Sequence, residues 1–248
     1  MNEDLAISPS AKDWDSYWLA QRRSQTIYSF VARVYRKVVI SRSLSRNFKR
    51  HVPQRSLCLH AGAGSGEVDT SLHNRWRVIG LDFSHQAVAK YHFIHDQKVS
   101  VLQADNFHLP FSDNTFDCVF NLGVMEHFSI NEIRQMASEF NRVLVPGGKV
   151  ILFWPPTYGL SVVVLKLIHY VARLIQPDFK PLHPREISLI SSRKEVQLLL
   201  EQACFQLVEF RFEFRDAFTH EVVVAKKPGP KVGAPMATTI APSANLGT

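Results

Sequence analysis

Three glycines fall within five residues, directly after a short apolar run. Gly62, Gly64 and Gly66 follow the residues Ser-Leu-Cys-Leu, and the chain of 248 residues holds only eleven glycines in all. Glycine has no Cβ, so a turn with three of them lets the backbone pass close to a ligand. The spacing is not the Gly-x-Gly-x-x-Gly of dinucleotide sites, and no Gly-Lys-Ser/Thr follows. This pattern argues against a diphosphate ligand.

Two carboxylates follow at the ends of the next apolar runs. Asp82 comes twenty residues after Gly62, where a carboxylate can accept hydrogen bonds from both hydroxyls of a ribose. Ser84 can cap the following helix, so Asp82 is not needed there. Asp105 precedes Asn106, and its carboxylate can accept the exocyclic amine of adenine. Asp105 alone is typical of a turn, but in series with Gly62 and Asp82 it favours a ligand with ribose and adenine.

The elements that must position these residues follow from the periodicity. From residue 56 onward, short apolar runs alternate with helical patterns, as in a parallel sheet of βαβ units. Pro146-Gly147-Gly148 is expected to end a helix and turn the chain into the fifth strand. The predicted strands lie near 56–61, 76–82, 98–103, 115–121 and 148–154, and the predicted helices near 66–74, 84–94, 130–144, 159–177 and 191–203. Alternation over 205–226 predicts an antiparallel pair that closes the sheet.

Three segments surround this predicted core. We divide the chain into an N-terminal helical arm (1–52), a core domain (53–227) with a helical insertion at 157–185, and a disordered tail (228–248) rich in Pro, Gly, Ala, Ser and Thr. Residues 160–175 of the predicted helix at 159–177 are too short to span a bilayer. Its polar residues Lys166, His169 and Arg173 form one stripe, so it is either a lid over the site or a helix on a membrane surface.

The net charge, the cysteines and the N-terminus limit the classes to which the protein can belong. The net charge is +7, and no Asp or Glu occurs between Asp15 and Glu67, whereas ten Lys and Arg residues do. This basic stretch is a solvated helix face, or it contacts an anionic membrane, an acidic substrate or nucleic acid. Cys58, Cys118 and Cys204 lack metal-ligand spacing, which predicts small buried residues and no zinc or other metal site. The N-terminus has no signal-like apolar region, which predicts a cytoplasmic protein.

The four segments that carry these motifs resemble a known family. The runs LCLHAGAGSG, VIGLDFS, VLQADNFHLPFSDNTFDCVFNLGVMEHF and FNRVLVPGGKVILFWPP are similar to class I S-adenosylmethionine-dependent methyltransferases, in particular the small-molecule branch of ubiquinone and menaquinone biosynthesis. The resemblance covers roughly residues 56 to 156. It implies a Rossmann-like α/β fold with a seven-stranded, mostly parallel sheet whose last strand is antiparallel.

The resemblance also implies the roles of single residues. The three glycines would approach the methionine and ribose portion of S-adenosylmethionine, Asp82 would bind the ribose hydroxyls, and Phe83 would lie beside the adenine. Asp105 would take the adenine amine with Asn106 next to it. Residues Asn121 to Met125 would line the methionine side.

Two histidines bear on catalysis. His127 is a candidate base near the transferable methyl, or it only orders its loop. His60 stands two residues before Gly62, where related sequences commonly have an acidic residue that helps hold the cofactor's ammonium. Three alternatives follow: Glu67 and backbone carbonyls hold the amine, cofactor binding is weak, or the protein is catalytically silent and acts as a binding partner. A nicotinamide oxidoreductase fits the glycine spacing less well.

The acceptor is expected to be a small or lipid-like apolar molecule, because the arm and the insertion would cover the site with apolar residues. A peripheral contact with an anionic membrane is a further expectation. The loop after the fourth strand lacks the Asn/Asp-Pro-Pro-Tyr arrangement of methyltransferases that act on nucleic-acid bases, which disfavours nucleic acid as a substrate. The sequence indicates no oligomeric state.

Overall fold

A seven-stranded sheet forms the centre of the protein. The computed structural model describes residues 8–23, 27–96, 99–175, 184–212 and 218–229. The strands are β1 Leu57–Ala61, β2 Arg77–Asp82, β3 Ser100–Gln103, β4 Phe116–Leu122, β5 Leu144–Trp154, β6 Gln206–Phe212 and β7 Glu221–Lys226, in the order β3-β2-β1-β4-β5-β7-β6. Only β7 runs antiparallel to its neighbours. The predicted Rossmann-like fold with an antiparallel last strand is confirmed.

Helices cover both faces of this sheet. Their bounds are α1 Ala11–Arg23, α2 Ile27–Tyr35, α3 Ser41–His51, α4 His85–Ile94, α5 Ile130–Val143, α6 Leu160–Ile175 and α7 Arg193–Gln202, with a π-helical turn Arg36–Ile40 joining α2 to α3. Successive strand residues point to opposite faces. Leu59 and Val119 therefore pack with α5 and α7, whereas Cys58 and Phe120 pack on the opposite face, which α3 covers.

The N-terminal helices differ in how they contact the sheet. Leu44 and Phe48 of α3 are fully buried, and the Phe48 ring meets Trp76 and Phe120 edge to face. α1 instead docks on α4, because Asp15 accepts hydrogen bonds from the Ser84 hydroxyl (2.6 Å) and from a backbone N–H. The division into arm, core and insertion stays a prediction, but α3 belongs to the packing of the sheet.

The helix predicted at 66–74 is wrong. Turns occupy residues 67–75, and the backbone hydrogen bonds there span three residues, as from Leu72 N to Asp69 O (2.8 Å) and from Arg75 N to Leu72 O (2.9 Å). The carboxylate of Asp69 is fully buried in this segment. In a regular helix the Asp69 carboxylate would have a different position. Its side-chain contacts therefore favour the turns over a helix.

The predicted role of Pro146-Gly147-Gly148 is also wrong. α5 ends at Val143, and β5 begins at the next residue, so the three residues lie inside the strand. The pairing of β4 with β5 shifts register between Phe116 and Cys118, and Gly147 has a φ of +85°. Proline and glycine are tolerated within a strand at such an irregularity, because the regular ladder is interrupted there.

The remaining predictions concern the cysteines, the insertion and the tail. Cys58 and Cys118 are buried as expected, but Cys204 is exposed, since it lies in the turn after α7 with a φ of +59°. Residues 176–183 of the predicted insertion, the Arg173 side chain and the tail beyond residue 229 lie outside the described part of the chain. No helix among the described residues is long and apolar enough to cross a membrane.

Candidate active site

The glycine turn lies where the strand order reverses. β1 has β2 on one side and β4 on the other, and open α/β sheets bind ligands at the carboxyl ends of such strands. The turn is held from below by two hydrogen bonds, from Gly62 N and Ala63 N to the carbonyl oxygen of Leu81, both 2.8 Å. The sequence-predicted residues of β1, β2 and the loop after β3 therefore meet at one edge.

Glycine is required in this turn for two reasons. Gly64 and Gly66 have φ values of +53° and +69°, a region that residues with a side chain rarely adopt. A Cβ at Gly64 would lie 2.9 Å from the Trp18 ring, and a Cβ at Gly66 would lie 2.6 Å from the Tyr91 ring. The turn is thus close-packed against the protein's own aromatic side chains, in addition to any ligand.

Asp82 is buried at the end of β2 and faces the turn. Its Oδ2 accepts a hydrogen bond from Gly64 N (2.8 Å), and its Oδ1 accepts one from Ser84 N (2.9 Å). Ser84 caps α4 through its own side chain, as predicted. Burial raises the pKa of Asp82, although both backbone N–H groups act in the opposite direction. Each oxygen keeps acceptor capacity, because a carboxylate oxygen takes about two hydrogen bonds.

The adenine-side residues lie on the same cavity wall. Phe83, Asp105 and Asn106 all line it. Asp105 is half exposed, and its Oδ1 accepts a hydrogen bond from Phe107 N (2.9 Å). Oδ1 of Asn106 is buried and has no hydrogen-bond partner among the described residues. Asn121 is fully buried at the end of β4 and is not part of the wall, which continues instead through the residues just after it.

His60 does not stand alone in place of an acid. Its Nδ1 lies 2.6 Å from Oδ2 of Asp69, and its ring stacks on Phe120 at a centroid distance of 4.4 Å. Burial acts to raise the pKa of Asp69, but the contacts with His60, His73 and His95 hold it well below its ordinary value. Asp69 is therefore a carboxylate, and the histidine at the cavity wall is backed by its negative charge.

Glu67, the other acid in this region, is already paired. Its carboxylate lies 3.6 Å from Nε of Arg33 and 3.5 Å from Nε of Arg36. Two arginines from the N-terminal helices therefore compensate the only acidic side chain of the glycine turn that lines the cavity.

His127 and Glu126 lie together after β4. Nδ1 of His127 is 2.9 Å from the carbonyl oxygen of Arg185, and its Nε2 is 3.9 Å from Oε1 of Glu126. Burial, with a smaller contribution from Glu186, raises the pKa of Glu126 to about 8. Burial also lowers the pKa of His220, on the same wall, to about 4. Burial therefore favours the neutral forms of Glu126 and His220 on this wall.

These residues surround a cavity of about 780 Å³. One part of its wall is the glycine turn with Asp82 and Asp105. The remainder comes from the N-terminal helices and from α6, through the residues Trp14, Tyr17, Trp18, Ala32, Tyr35, Ile40, Ser161, Leu165 and Ile168. The Trp14 ring meets His127 edge to face at 4.9 Å, so α1 crosses the cavity from His127 to α4. The cavity thus has a polar side, formed by the glycine turn with Asp82 and Asp105, and an apolar chamber, formed by the helices.

Sequence reasoning missed three groups of residues here. Trp18 and Glu126 both line the cavity, and no motif in the sequence pointed to either of them. The cluster of Asp69, His73 and His95 was not anticipated, although Asp69 and His73 are four residues apart and two acceptor-bearing side chains at that spacing can converge. Its third member comes from the end of α4, and no local pattern links it to the others.

Comparisons with known proteins agree with this geometry. Residues 59–152 match the family described as "Methyltransferase domain". "Probable tRNA methyltransferase 9B" of Bos taurus is 31% identical over 109 residues, which are 44% of this chain and 23% of that protein. "Demethylmenaquinone methyltransferase" of Bacillus cereus (strain B4264) is 28% identical over 159 residues, 58% of this chain and 66% of that protein. The chain spans about a quarter of the length of the tRNA methyltransferase relatives it matches.

A solved structure matches the whole fold. Magnesium protoporphyrin IX methyltransferase from Synechocystis PCC 6803 with bound SAH superposes with a TM-score of 0.61 at 17% identity, and the match covers 88% of this chain and 97% of that one. At this identity the likeness shows the fold. Residues 59–152 therefore match a methyltransferase domain, and the solved structure has the same fold around them.

Proposed function

We propose that the protein transfers a methyl group from S-adenosylmethionine to a small or lipid-like apolar acceptor. The observation that carries this proposal is the single cavity in which the glycine turn, Asp82 and Asp105 adjoin an apolar chamber under α1, α2 and α6. Methyl transfer requires the donor and the acceptor in one water-excluding space. The cavity has both halves.

The residues present fit the cofactor. Asp82 is a buried carboxylate with spare acceptor capacity on both oxygens, which suits two ribose hydroxyls. Oδ1 of Asn106 is buried without a partner among the described residues, so it can accept from a ligand N–H. Asp105 and Phe83 stand on the same wall and would hold the adenine through its amine and its ring face.

The pair of His60 and Asp69 replaces the usual acid at the cofactor's ammonium. A hydrogen on Nδ1 of His60 satisfies its 2.6 Å contact with Asp69 and leaves Nε2 as an acceptor. The buried negative charge of Asp69 makes that acceptor stronger. This arrangement is a fourth possibility beside the three alternatives for His60, and it supports a working cofactor site over weak binding or catalytic silence. Glu67 is less suited to the role, because two arginines already pair with it.

The chain's own part in the reaction is alignment, exclusion of water and removal of a proton. S-adenosylmethionine supplies the electrophilic methyl group when it is bound. His127 donates through Nδ1 to the Arg185 carbonyl, which leaves Nε2 as the acceptor for a proton from an acceptor hydroxyl. Glu126 is neutral at pH 7, because its pKa is raised to about 8, and it therefore adds no negative charge beside His127.

The acceptor class follows from the chamber and from the outer surface of α2 and α6, the two helices that form its lid. Burial favours neutral groups inside the chamber, which suits an uncharged acceptor. Outside it, α2 and α6 expose large apolar side chains, namely Phe30, Val31, Val34, Val163, Val164, Leu167, Tyr170 and Leu174. An apolar outer surface on two helices that line an apolar chamber suits an acceptor delivered from a lipid surface, with the basic arm next to anionic headgroups.

A tRNA acceptor is the second candidate. It is supported by the names of the tRNA methyltransferase relatives and by the basic N-terminal segment, since phosphate backbones bind such surfaces. The apolar lining of the chamber does not favour it, because a base read by a protein needs polar partners.

The test combines cofactor binding with turnover in two variants. Asp82→Asn should weaken S-adenosylmethionine binding in isothermal titration by about 10–100-fold, since hydrogen bonds to a charged group are lost. His127→Ala should keep the cofactor affinity and lose turnover by about 100-fold or more. Asp113→Asn, an exposed residue outside the cavity wall, is the matched control and should change neither.

Turnover is measured as transfer of radiolabelled methyl to two acceptor pools, an apolar extract containing quinols and total tRNA. Label in the apolar pool supports the proposal, and label in tRNA replaces it with the second candidate. If the wild-type chain binds no S-adenosylmethionine at millimolar concentration, the methyltransferase proposal is wrong and the protein is a silent relative.

A further inference from the structure

A buried carboxylate and two imidazoles converge behind the glycine turn. Asp69 and His73 lie in the turns between β1 and β2, and His95 follows the last residue of α4. The Asp69 side chain is fully buried, and the side chains of His95 and His73 are 5% and 15% exposed. None of the three is part of the cavity wall. His73 and His95 have no part in the proposed transfer reaction, and Asp69 enters it only through the contact of its Oδ2 with His60.

The two oxygens of Asp69 have different surroundings. Oδ2 accepts a hydrogen bond from the Tyr91 hydroxyl (2.8 Å) and contacts Nδ1 of His60 (2.6 Å). Oδ1 is buried and has no hydrogen-bond partner of acceptable geometry among the described residues. It faces Nε2 of His95 at 3.1 Å and Nε2 of His73 at 3.7 Å. Oδ1 is thus the carboxylate oxygen that faces the two imidazole nitrogens.

We propose that Oδ1 of Asp69, Nε2 of His73 and Nε2 of His95 bind a zinc ion. The three atoms lie within 4.8 Å of one another. Zinc binds nitrogen and oxygen ligands at about 2.0–2.2 Å, so tetrahedral ligands are roughly 3.3–3.6 Å apart. The two contacts to Oδ1, 3.1 and 3.7 Å, bracket this spacing, and the two imidazole nitrogens, which lie within 4.8 Å of each other, would move to the same spacing when the ion binds.

A candidate for a fourth ligand adjoins the cluster. The carbonyl oxygen of Gly66 lies 3.2 Å from Nε2 of His95. The contacts of His60 and Tyr91 with Oδ2 are the kind of outer hydrogen bonds that orient a ligating carboxylate. A carboxylate with two neutral imidazoles is a donor set that suits zinc.

The ion would have a structural role. It would join the turns that follow the glycines to the end of α4, next to Gly66, where the predicted helix does not form. Metal binding would then stabilise the fold by mass action, because the unfolded chain does not hold the three ligands together.

The test measures zinc uptake by the purified full chain without any cofactor, so its result is independent of the proposed methyl transfer. After removal of metals with a chelator and dialysis, the chain is titrated with Zn²⁺ in isothermal titration, and with Co²⁺ while visible absorption is recorded. We expect one ion per chain, a four-coordinate cobalt spectrum and a higher Tm with zinc.

Three variants identify the ligands. His73→Gln and His95→Gln should each weaken zinc binding by more than about 100-fold, beyond the effect of losing an outer-shell partner. His85→Gln, an exposed histidine at the start of α4, is the matched control and should bind zinc like the wild type. The proposal is overturned if the wild-type chain takes up no stoichiometric zinc, or if both variants keep the wild-type affinity.

Discussion

At the scale of single residues, Glu126 makes a specific prediction about pH. Its pKa is about 8 in the folded chain against 4.5 for the ordinary group, because burial disfavours the carboxylate. The folded chain therefore keeps a proton that the unfolded chain releases above pH 4.5, and the free energy of unfolding falls between pH 4.5 and about 8. Glu126→Gln removes this titration, so it should be nearly neutral at pH 4.5 and stabilising by roughly 4 kcal/mol at pH 8.

Urea unfolding of wild type and variant at pH 4.5, 6 and 8 measures the difference. Glu201→Gln on the exposed end of α7 is the control and should show no such growth with pH. A constant difference across the three pH values would show that Glu126 is already ionised in the folded chain.

The residues of the candidate site were predictable to different degrees. The glycines, Asp82 and Asp105 follow strands that are visible in the sequence, and parallel strands bring their carboxyl ends to one edge, so their meeting could be foreseen. The partner of His60 could not be foreseen. Asp69 lies nine residues away in a segment whose local pattern is helical, and only the packing of three histidines and Tyr91 around it determines its position.

At the scale of elements, the hydrophobic periodicity correctly predicted those helices whose first residues are determined by the local sequence. α4, α5 and α7 begin within two residues of their predicted starts, and serine caps each of them. The predictions at 66–74 and at Pro146-Gly147-Gly148 failed where a buried carboxylate or a shift in strand register overrides the local preference. The contact of α1 with the glycine turn was also beyond reach, since it joins Trp18 to Gly64 across 46 residues.

That contact leads to a prediction about α1 as a cover of the cofactor site. Trp18→Ala removes the ring that packs on Gly64 and that lies under Lys90, while Asp15 still anchors α1 to Ser84. Losing part of this apolar contact should weaken binding of S-adenosylhomocysteine about tenfold, mainly through faster dissociation. Stopped-flow fluorescence measures that rate. Leu19→Ala, an exposed position on the same helix, should leave it unchanged; equal rates in all three proteins would show that α1 does not cover the ligand.

At the scale of the whole molecule, the charge of +7 and the exposed apolar side chains of α6 lead to a prediction about binding to lipid vesicles. Leu167 and Tyr170 on α6 are 60% and 64% exposed, close to the basic N-terminal helices that share the cavity wall with α6. The protein should therefore co-sediment with anionic vesicles and not with neutral ones, and binding should decrease between 50 mM and about 500 mM salt as the charges are screened.

The double variant Leu167→Ser/Tyr170→Ser should reduce the vesicle-bound fraction about tenfold or more, because two large apolar side chains no longer insert. Leu198→Ser, at a leucine of α7 that is 50% exposed, is the control. If the lid variant binds vesicles like the control, the apolar surface does not insert and charge alone attracts the protein. If it loses vesicle binding but keeps turnover on a short-chain, water-soluble acceptor, the lid surface serves delivery of the acceptor and not the chemistry.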